Sequence, residues 1–243
     1  MHTEFQRVAT ALDRSAVTLV LTGAGVSAAS GIPTFRGADG LWRKYRVEEL
    51  ATPGAFHRDP ALVWEWYQWR LGLVRGSAPN PAHTVLAELG TRFAGLWIVT
   101  QNVDGYHRQA GSRRLLEIHG SLQRSRCLEC GTRKPTPLQP GIPYCSCGGM
   151  LRPDVVWFGE TLPVAALQQS LELAQNCDLF ITAGTSGLVE PAASFMSIAA
   201  ANGALTVEIN PIPTAVSNQA TVLLRGEADQ VFPAIWSILE DKI

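Results

Sequence analysis

Long apolar runs are missing from this sequence: no segment approaches the ~20 residues that a membrane-spanning helix needs. The opening MHTEFQRVATALDRS mixes acidic and basic residues and has no apolar stretch of the signal-peptide kind. The expectation is a cytoplasmic protein that does not contact a membrane. Charge is scarce as well. Only 17% of residues are charged, and 20 basic against 21 acidic residues leave a formal net charge of −1. No global field then draws in nucleic acid or an anionic surface, and any partner has to be recognised locally. Cysteine is sparse, five in 243 residues, and four of the five fall between Cys127 and Cys147. That clustering suits a metal site in a reducing compartment better than a disulfide framework. Repeats, low-complexity tracts and long linkers are also missing. With 46% apolar residues the chain is globular, with room for one large domain and a small module.

What is there is alternation. Phe5, Val8, Ala9 and Leu12 recur at helical spacing and predict a first amphipathic helix. The apolar, β-branched run at 16–21 predicts a buried strand, and Gly23 and Gly25 follow it, where backbone without side chains turns sharply and can approach a ligand. Small residues at 26–30 open a helix whose N–H groups would face a phosphate. Gly23, Gly25 and Ala28 fit the looser form of the dinucleotide fingerprint, although a GAG tripeptide at a strand end is also an ordinary turn. From 47 to 74 the composition turns aromatic and charged, a helical insertion with Pro60 placed to start a helix through Trp64, Tyr67 and Arg70.

Further along, the pattern predicts a helix at 82–89 stopped by Gly90, and strands at 96–100 and 115–118. QNVDG and His119-Gly120 sit at the carboxyl ends of those strands, Gly120 leaving room for a ligand beside His119. Residues 121–152 break the pattern with cysteines and prolines. It then resumes with a helix at 163–176, a strand at 179–183 ending in GTS, a helix at 191–202 and a strand at 205–209 ending at Asn210. A short strand at 221–224 and a closing helix at 229–239 complete it. The fold class is α/β: a Rossmann-like parallel sheet with helices on both faces, a helical insertion and a small inserted zinc-binding module. The predicted division assigns 1–40, 76–120 and 153–243 to the sheet domain, 41–75 to the insertion and 121–152 to the module. Parallel sheets bind ligands at the carboxyl ends of their strands.

Cys127-Leu-Glu-Cys130 and Cys145-Ser-Cys147 supply four thiolates in two short turns, the ligand set of a closed, structural zinc site. The second turn is C-x-C, shorter than the usual C-x-x-C. Cys177, alone before a strand, reads as a small core residue. His119, at a strand end level with Gln101, Asn102 and Asp104, is a candidate general base. His83 and His107 read as structural, and His2 and His57 carry no signal.

GAGVSAASGIPTFRG, TQNVD, the strand-end HG, the cysteine pairs, VVWFGE and GTS stand here in an order that resembles the sirtuins, the NAD-dependent protein lysine deacylases, over about 17–233. The resemblance implies NAD as a consumed co-substrate. Its pyrophosphate would lie over Gly23, Ala24 and Gly25, next to Ala28; Phe35, Arg36 and Trp42 would shape the nicotinamide pocket; Gln101, Asn102 and Asp104 would hold the nicotinamide ribose region. Gly184, Thr185, Ser186, Asn210 and Ala228 would hold the adenosine half, with Asn210 in place of the acidic ribose clamp, which is not evident. In the implied reaction the acyl oxygen attacks the ribose carbon as nicotinamide departs. His119 is the base on the ribose hydroxyls, with Asn102 and Arg36 as the other catalytic residues, and the products are lysine and O-acyl-ADP-ribose.

Residues 155–160, including Val156, Trp157, Phe158, Gly159 and Glu160, would bind the acylated-lysine protein or peptide by strand addition. Within the family the sequence looks most like the members that remove acidic acyl groups, through Ala51 and the pair Tyr67 and Arg70. By spacing alone, an arginine covering an aromatic helix is the plainer reading of that pair. The resemblance turns it toward a phenol and a guanidinium reaching one carboxylate: succinyl, malonyl or glutaryl, with acetyl weaker. One structural zinc, no nucleic acid and a monomer complete the expectation. The alternative is a mono-ADP-ribosyltransferase using the same NAD site.

Overall fold

The computed structural model describes residues 2–34 and 46–241. Helix α1 (His2–Arg14) buries Val8, Ala9 and Leu12 on the face their spacing predicts. Strand β1 (Thr18–Thr22) starts at Thr18 rather than at Ala16, because the amides of Ala16 and Val17 donate to Asp178 Oδ2 at 2.8 and 2.9 Å and stay outside the ladder. The small residues after it wind into a 3-10 helix, Ala24–Ser30, instead of an α-helix. The insertion holds α2 (Val47–Leu50), α3 (Pro53–Arg58) and α4 (Pro60–Arg75). Asp59 caps α4 by accepting the Leu62 amide at 2.9 Å, and Pro60 occupies the first turn, where its missing N–H costs nothing.

Helix α5 (Pro81–Arg92) runs through Gly90, contrary to the predicted stop. Glycine inside a helix costs about 1 kcal/mol, less than the fully buried Leu86 and Leu89 return by packing on the sheet. Strand β2 (Leu96–Thr100), helix α6 (Tyr106–Gln109) and strand β3 (Leu115–Glu117) follow. The module contains β4 (Gly120–Cys127), β5 (Arg133–Pro135) and β6 (Leu151–Val155), an antiparallel sheet in the order β5-β4-β6. Pro153 lies in β6, an edge strand, where a missing N–H is tolerated.

Helix α7 (Val164–Asn176) and strand β7 (Leu179–Ala183) come next. The helix predicted at 191–202 divides into a 3-10 turn, Ala192–Ser194, and α8 (Phe195–Ala201), since the Ser194 amide bonds Pro191 O and its hydroxyl donates to Glu190 Oε2 at 2.7 Å. Strand β8 (Leu205–Ile209), strand β9 (Val222–Leu224) and helix α9 (Ala228–Glu240) close the chain. Among the described residues, no helix is long and apolar enough to cross a membrane.

The main sheet has six parallel strands in the order β3-β2-β1-β7-β8-β9. One face buries Val20, Ile98, Ile181 and Val207 under α1, α5 and α9; the other buries Leu19, Val99 and Phe180 under α7 and α8. A third cluster, including Phe56, Trp64, Leu71, Tyr106 and Leu151, joins the insertion to the module, and Trp64 Nε1 donates to Leu151 O across it at 2.8 Å. The strand order reverses direction between β1 and β7, the place where such sheets open a crevice.

At that reversal the loops after β1 and β7 touch. The Gly23 amide donates to Ala183 O at 3.0 Å and the Gly25 amide to Gly184 O at 2.8 Å. A Cβ on Gly25 would lie 2.7 Å from Gly184 Cα, and one on Gly184, at φ +59°, would lie 2.4 Å from Val26 N. Replacing Gly184 with Ala should therefore cost about 3 kcal/mol or more in urea unfolding, from the left-handed backbone and the clash together. Gly203→Ala is the control: φ is +89° with nothing within 4 Å, so only the backbone penalty of about 1–2 kcal/mol should appear.

Candidate active site

A cavity of about 690 Å³ runs along the carboxyl ends of β1, β2, β7 and β8, facing the insertion and the module, a size suited to a cofactor-sized ligand. Gly23, Ala24, Gly25 and Ala28 line it after β1, Gln101 and Asn102 after β2, and Gly184, Thr185 and Ser186 after β7. Asn210 and Ala228 line the far end. Ala51, Tyr67, Arg70, His119, Val156, Trp157, Phe158, Gly159 and Glu160 complete the walls. Asp104 is not among the lining residues; it is buried one layer behind them. Phe35, Arg36 and Trp42 lie outside the described residues.

Gly23 and Gly25 face the β7 loop with the positions their side chains would take, so the requirement for glycine comes from loop against loop as much as from ligand access. Gly120 likewise serves the module: at φ +79° its Cβ would fall 2.2 Å from Asp154 O in β6, a constraint unrelated to room for a ligand beside His119.

The strand ends are cross-linked by side chains. Gln101 Nε2 donates to Thr185 Oγ1 at 3.0 Å, and Asn102 Nδ2 donates to Gly23 O at 3.0 Å and Ser27 Oγ at 3.2 Å. Ser27 in turn donates to Asp104 Oδ2 at 2.8 Å, while Asp104 Oδ1 accepts the Tyr106 amide at 2.9 Å. Burial raises the Asp104 pKa, against the pull of those bonds and of the Arg70 charge. His83 joins the web through Ser27 at 3.4 Å, and His107 Nε2 lies 2.9 Å from Thr22 Oγ1. Desolvation holds both imidazoles below their ordinary pKa, so both are neutral. Asn102 and Asp104 were singled out from sequence, but Ser27, which ties them together, was not. A serine among small residues carries no signal until its carboxylate partner, 77 positions away, is brought alongside.

His119 is half-buried, and its Nδ1 lies 3.1 Å from Gln101 O. A carbonyl can only accept, so Nδ1 carries the proton and Nε2 keeps its lone pair. Burial lowers the His119 pKa, with the Gln101 carbonyl opposing, which keeps the ring neutral near pH 7. The His119 carbonyl accepts the Val156 amide at 2.9 Å.

Tyr67 and Arg70 share the cavity face of α4, both buried. The Arg70 guanidinium lies over Trp66 at 4.8 Å and near the Tyr67 ring at 5.7 Å. Desolvation lowers its pKa, yet an arginine stays a cation in this range. Residues 155–160 differ from a strand edge: β6 ends at Val155 and a turn follows. The amides of Val156, Trp157, Phe158 and Glu160 are engaged by His119 O, Glu160 Oε2, Ala51 O and Trp157 O. An added strand would have to use carbonyls and the Gly159 amide.

At the far end, Glu208 is buried in β8 and accepts from Thr214 Oγ1, from Ser217 Oγ at 2.7 Å and from Arg225 Nη1 at 2.5 Å. This clasp, also missed from sequence, fixes the loop that carries Asn210.

In the module, the Sγ atoms of Cys127, Cys130, Cys145 and Cys147 all lie within 4.8 Å of one another. Cys127 and Cys147 are 3.5 Å apart, Cys130 and Cys145 3.8 Å. Zinc–sulfur bonds of about 2.3 Å in a tetrahedron put sulfurs roughly 3.8 Å apart, so the cluster fits one structural zinc, C-x-C turn included.

Residues 23–191 match the model of the Sir2 family. An NAD-dependent protein deacylase of Aquifex aeolicus is 47% identical over 228 residues, covering 92% of this chain and 95% of that protein. NAD-dependent protein deacylase 2 of Pyrobaculum aerophilum is 50% identical over 231 residues, covering 94% and 93%. A mutant Sir2 homologue solved as an ADP-ribose complex superposes with a TM-score of 0.93 at 43% identity, covering 98% of this chain and 97% of that one. A Sir2 homologue solved with NAD gives 0.90 at 44% identity, covering 97% and 94%.

The buried neutral His83 makes stability depend on pH. Its pKa falls from 6.5 unfolded to about 4 folded, so between those values the unfolded chain binds the extra proton. Its contribution is intact above pH 6.5 and is lost as pH falls toward 4. The loss of unfolding free energy between pH 7.5 and pH 5, measured in urea, should be smaller by roughly 2 kcal/mol in a His83→Asn variant than in the parent; equal losses would mean that His83 is not buried as a neutral ring.

Proposed function

Because the chain belongs to the Sir2 family, we propose that it is an NAD-dependent protein deacylase that removes acidic acyl groups, succinyl and malonyl foremost and glutaryl with them, from lysine side chains, acetyl being a poorer substrate. The general activity follows from the deacylase names of relatives that align over nearly its whole length. One observation carries the acyl preference: Tyr67 and Arg70, both buried, face one cavity from the same helix.

NAD supplies an electrophilic ribose carbon, freed as nicotinamide leaves. Gly23, Ala24 and Gly25 offer a surface without side chains to the pyrophosphate. Gly184, Thr185, Ser186, Asn210 and Ala228 take the adenosine half, and Gln101 and Asn102 the nicotinamide ribose. Asn102 is pre-aimed by Gly23 O and Ser27, with Asp104 positioning it from behind through Ser27. Phe35, Arg36 and Trp42 remain assigned to the nicotinamide pocket by the family resemblance. His119 Nε2, with its lone pair kept in place by the Nδ1 contact to Gln101, takes the proton from a ribose hydroxyl so that its oxygen can attack the transferred acyl carbon. The amide oxygen ends on the ribose carbon that nicotinamide leaves, one water supplies the new acyl oxygen as the amine departs, and the products are nicotinamide, lysine and O-acyl-ADP-ribose.

Acyl choice rests on charge. A terminal carboxylate entering beside Arg70 gains a charge-assisted hydrogen bond in a desolvated site, while acetyl brings no carboxylate to make one. Ala51 leaves space for the longer chain. The deacylase names of the relatives favour this reading over ADP-ribosyl transfer to protein.

Arg70→Met should lower the ratio of succinyl-peptide to acetyl-peptide kcat/KM by about 100-fold. An unchanged ratio, with both activities falling together, would remove the acidic-acyl assignment.

A further inference from the structure

Trp157 is fixed by more contacts than an aromatic ring in a wall requires. The Arg152 guanidinium lies 3.4 Å from its ring centroid. That guanidinium pairs with both Glu160 oxygens, at 2.5 and 2.9 Å, and Glu160 Oε2 accepts the backbone N–H of Trp157 at 2.8 Å. Phe56 packs against the indole with centroids 5.2 Å apart. Held this way, the indole Nε1–H donates to the Tyr67 hydroxyl at 2.9 Å.

The Tyr67 oxygen thus has an acceptor site filled and its own proton left over. Tyr67 is 4% exposed, and among the described residues no group accepts that proton. A buried hydroxyl without an acceptor is costly, and the cost is relieved when a ligand brings one. Tyr67 and Trp157 both line the cavity, and Arg70 is their cationic neighbour. A carboxylate is acceptor-only, so it complements a phenol whose accepting side is already occupied.

We propose that Trp157 is a specificity-determining positioning residue: its indole N–H sets the Tyr67 hydroxyl so that the O–H donates into the cavity, where it and Arg70 together take the terminal carboxylate of the acyl chain. The inference rests on the acidic-acyl reading and adds a third residue to it, one that acts through another side chain. Without that N–H, the hydroxyl rotates among several orientations and loses its bias toward the ligand. An acetyl group brings no terminal acceptor, so the loss of that bias is read in the succinyl-to-acetyl ratio and not in either activity alone.

The test is a double-mutant cycle on the zinc-loaded full chain, with succinyl- and acetyl-lysine versions of one peptide. Tyr67→Phe should lower the succinyl-to-acetyl ratio of kcat/KM by about tenfold, and Trp157→Phe by a similar factor, chiefly through the KM for the succinyl peptide. The double variant should be no lower than Tyr67→Phe alone, because the indole acts through the hydroxyl. Trp157→His, which keeps a ring N–H, should recover part of the ratio. A ratio unchanged in either single Phe variant overturns the proposal, as do two factors that multiply in the double variant. Tyr67→Phe keeps the ring and its packing, so its result counts even where Trp157→Phe folds poorly. A parent enzyme with no preference for succinyl would remove the acidic-acyl reading itself; a parent that prefers succinyl, with the ratio intact in Trp157→Phe, removes only the role of Trp157.

Discussion

The Gly25 amide meets the Gly184 carbonyl at 2.8 Å, and no side chain fits between the two loops that this bond joins. The contact lies where the strand order reverses, between β1 and β7, and it decides what the carboxyl edge of the sheet can carry. With the loops locked together, Gln101 reaches Thr185 and Asn102 reaches Gly23 and Ser27, so the ends of three neighbouring strands form one continuous floor. Glycine is needed here for packing, and the bare backbone left facing the cavity is a consequence of that packing.

The opposite wall depends on the module. Strand β4 begins at Gly120, beside His119, and ends at Cys127, a member of the thiolate cluster. Its pairing with β6 runs from Gly120↔Val155 to Cys127↔Leu151. A zinc holding the cysteines therefore fixes a register whose far end places His119 and residues 155–160 against the cavity, without taking part in chemistry there. Between floor and wall, the site keeps few charges. His83, His107 and His119 are neutral, and the Arg70 cation interacts with the charge of the buried Asp104. In such surroundings the proposed acidic acyl group would meet the Arg70 cation with little screening.

Much of this was legible in the chain. The β-branched runs at 96–100, 179–183 and 205–209 are strands because they are buried on both faces, and the cysteine spacing announced the module. Local spacing also put Tyr67 and Arg70 on one face of a capped helix. The reasons for several residues were not legible. Gly120 looked like space for a ligand and is a packing requirement against Asp154; Gly90 looked like a stop and is carried through by the leucines around it. The helix predicted at 191–202 is split by hydrogen bonds from Ser194 that propensity does not encode. Ser27 with Asp104, Glu208 with Arg225 and Trp157 with Tyr67 became visible only once the fold had brought together partners 77, 17 and 90 positions apart.

The central claim is that this edge of the sheet breaks the nicotinamide bond of NAD in order to move an acyl group from lysine to ribose. Mass spectrometry of the products from adenine-labelled NAD and a succinyl-lysine peptide tests it most directly. The account predicts nicotinamide, unmodified lysine peptide and labelled O-succinyl-ADP-ribose in equal amounts, with no label on the protein. Label attached to protein or peptide, with the succinyl group still on lysine, would contradict it.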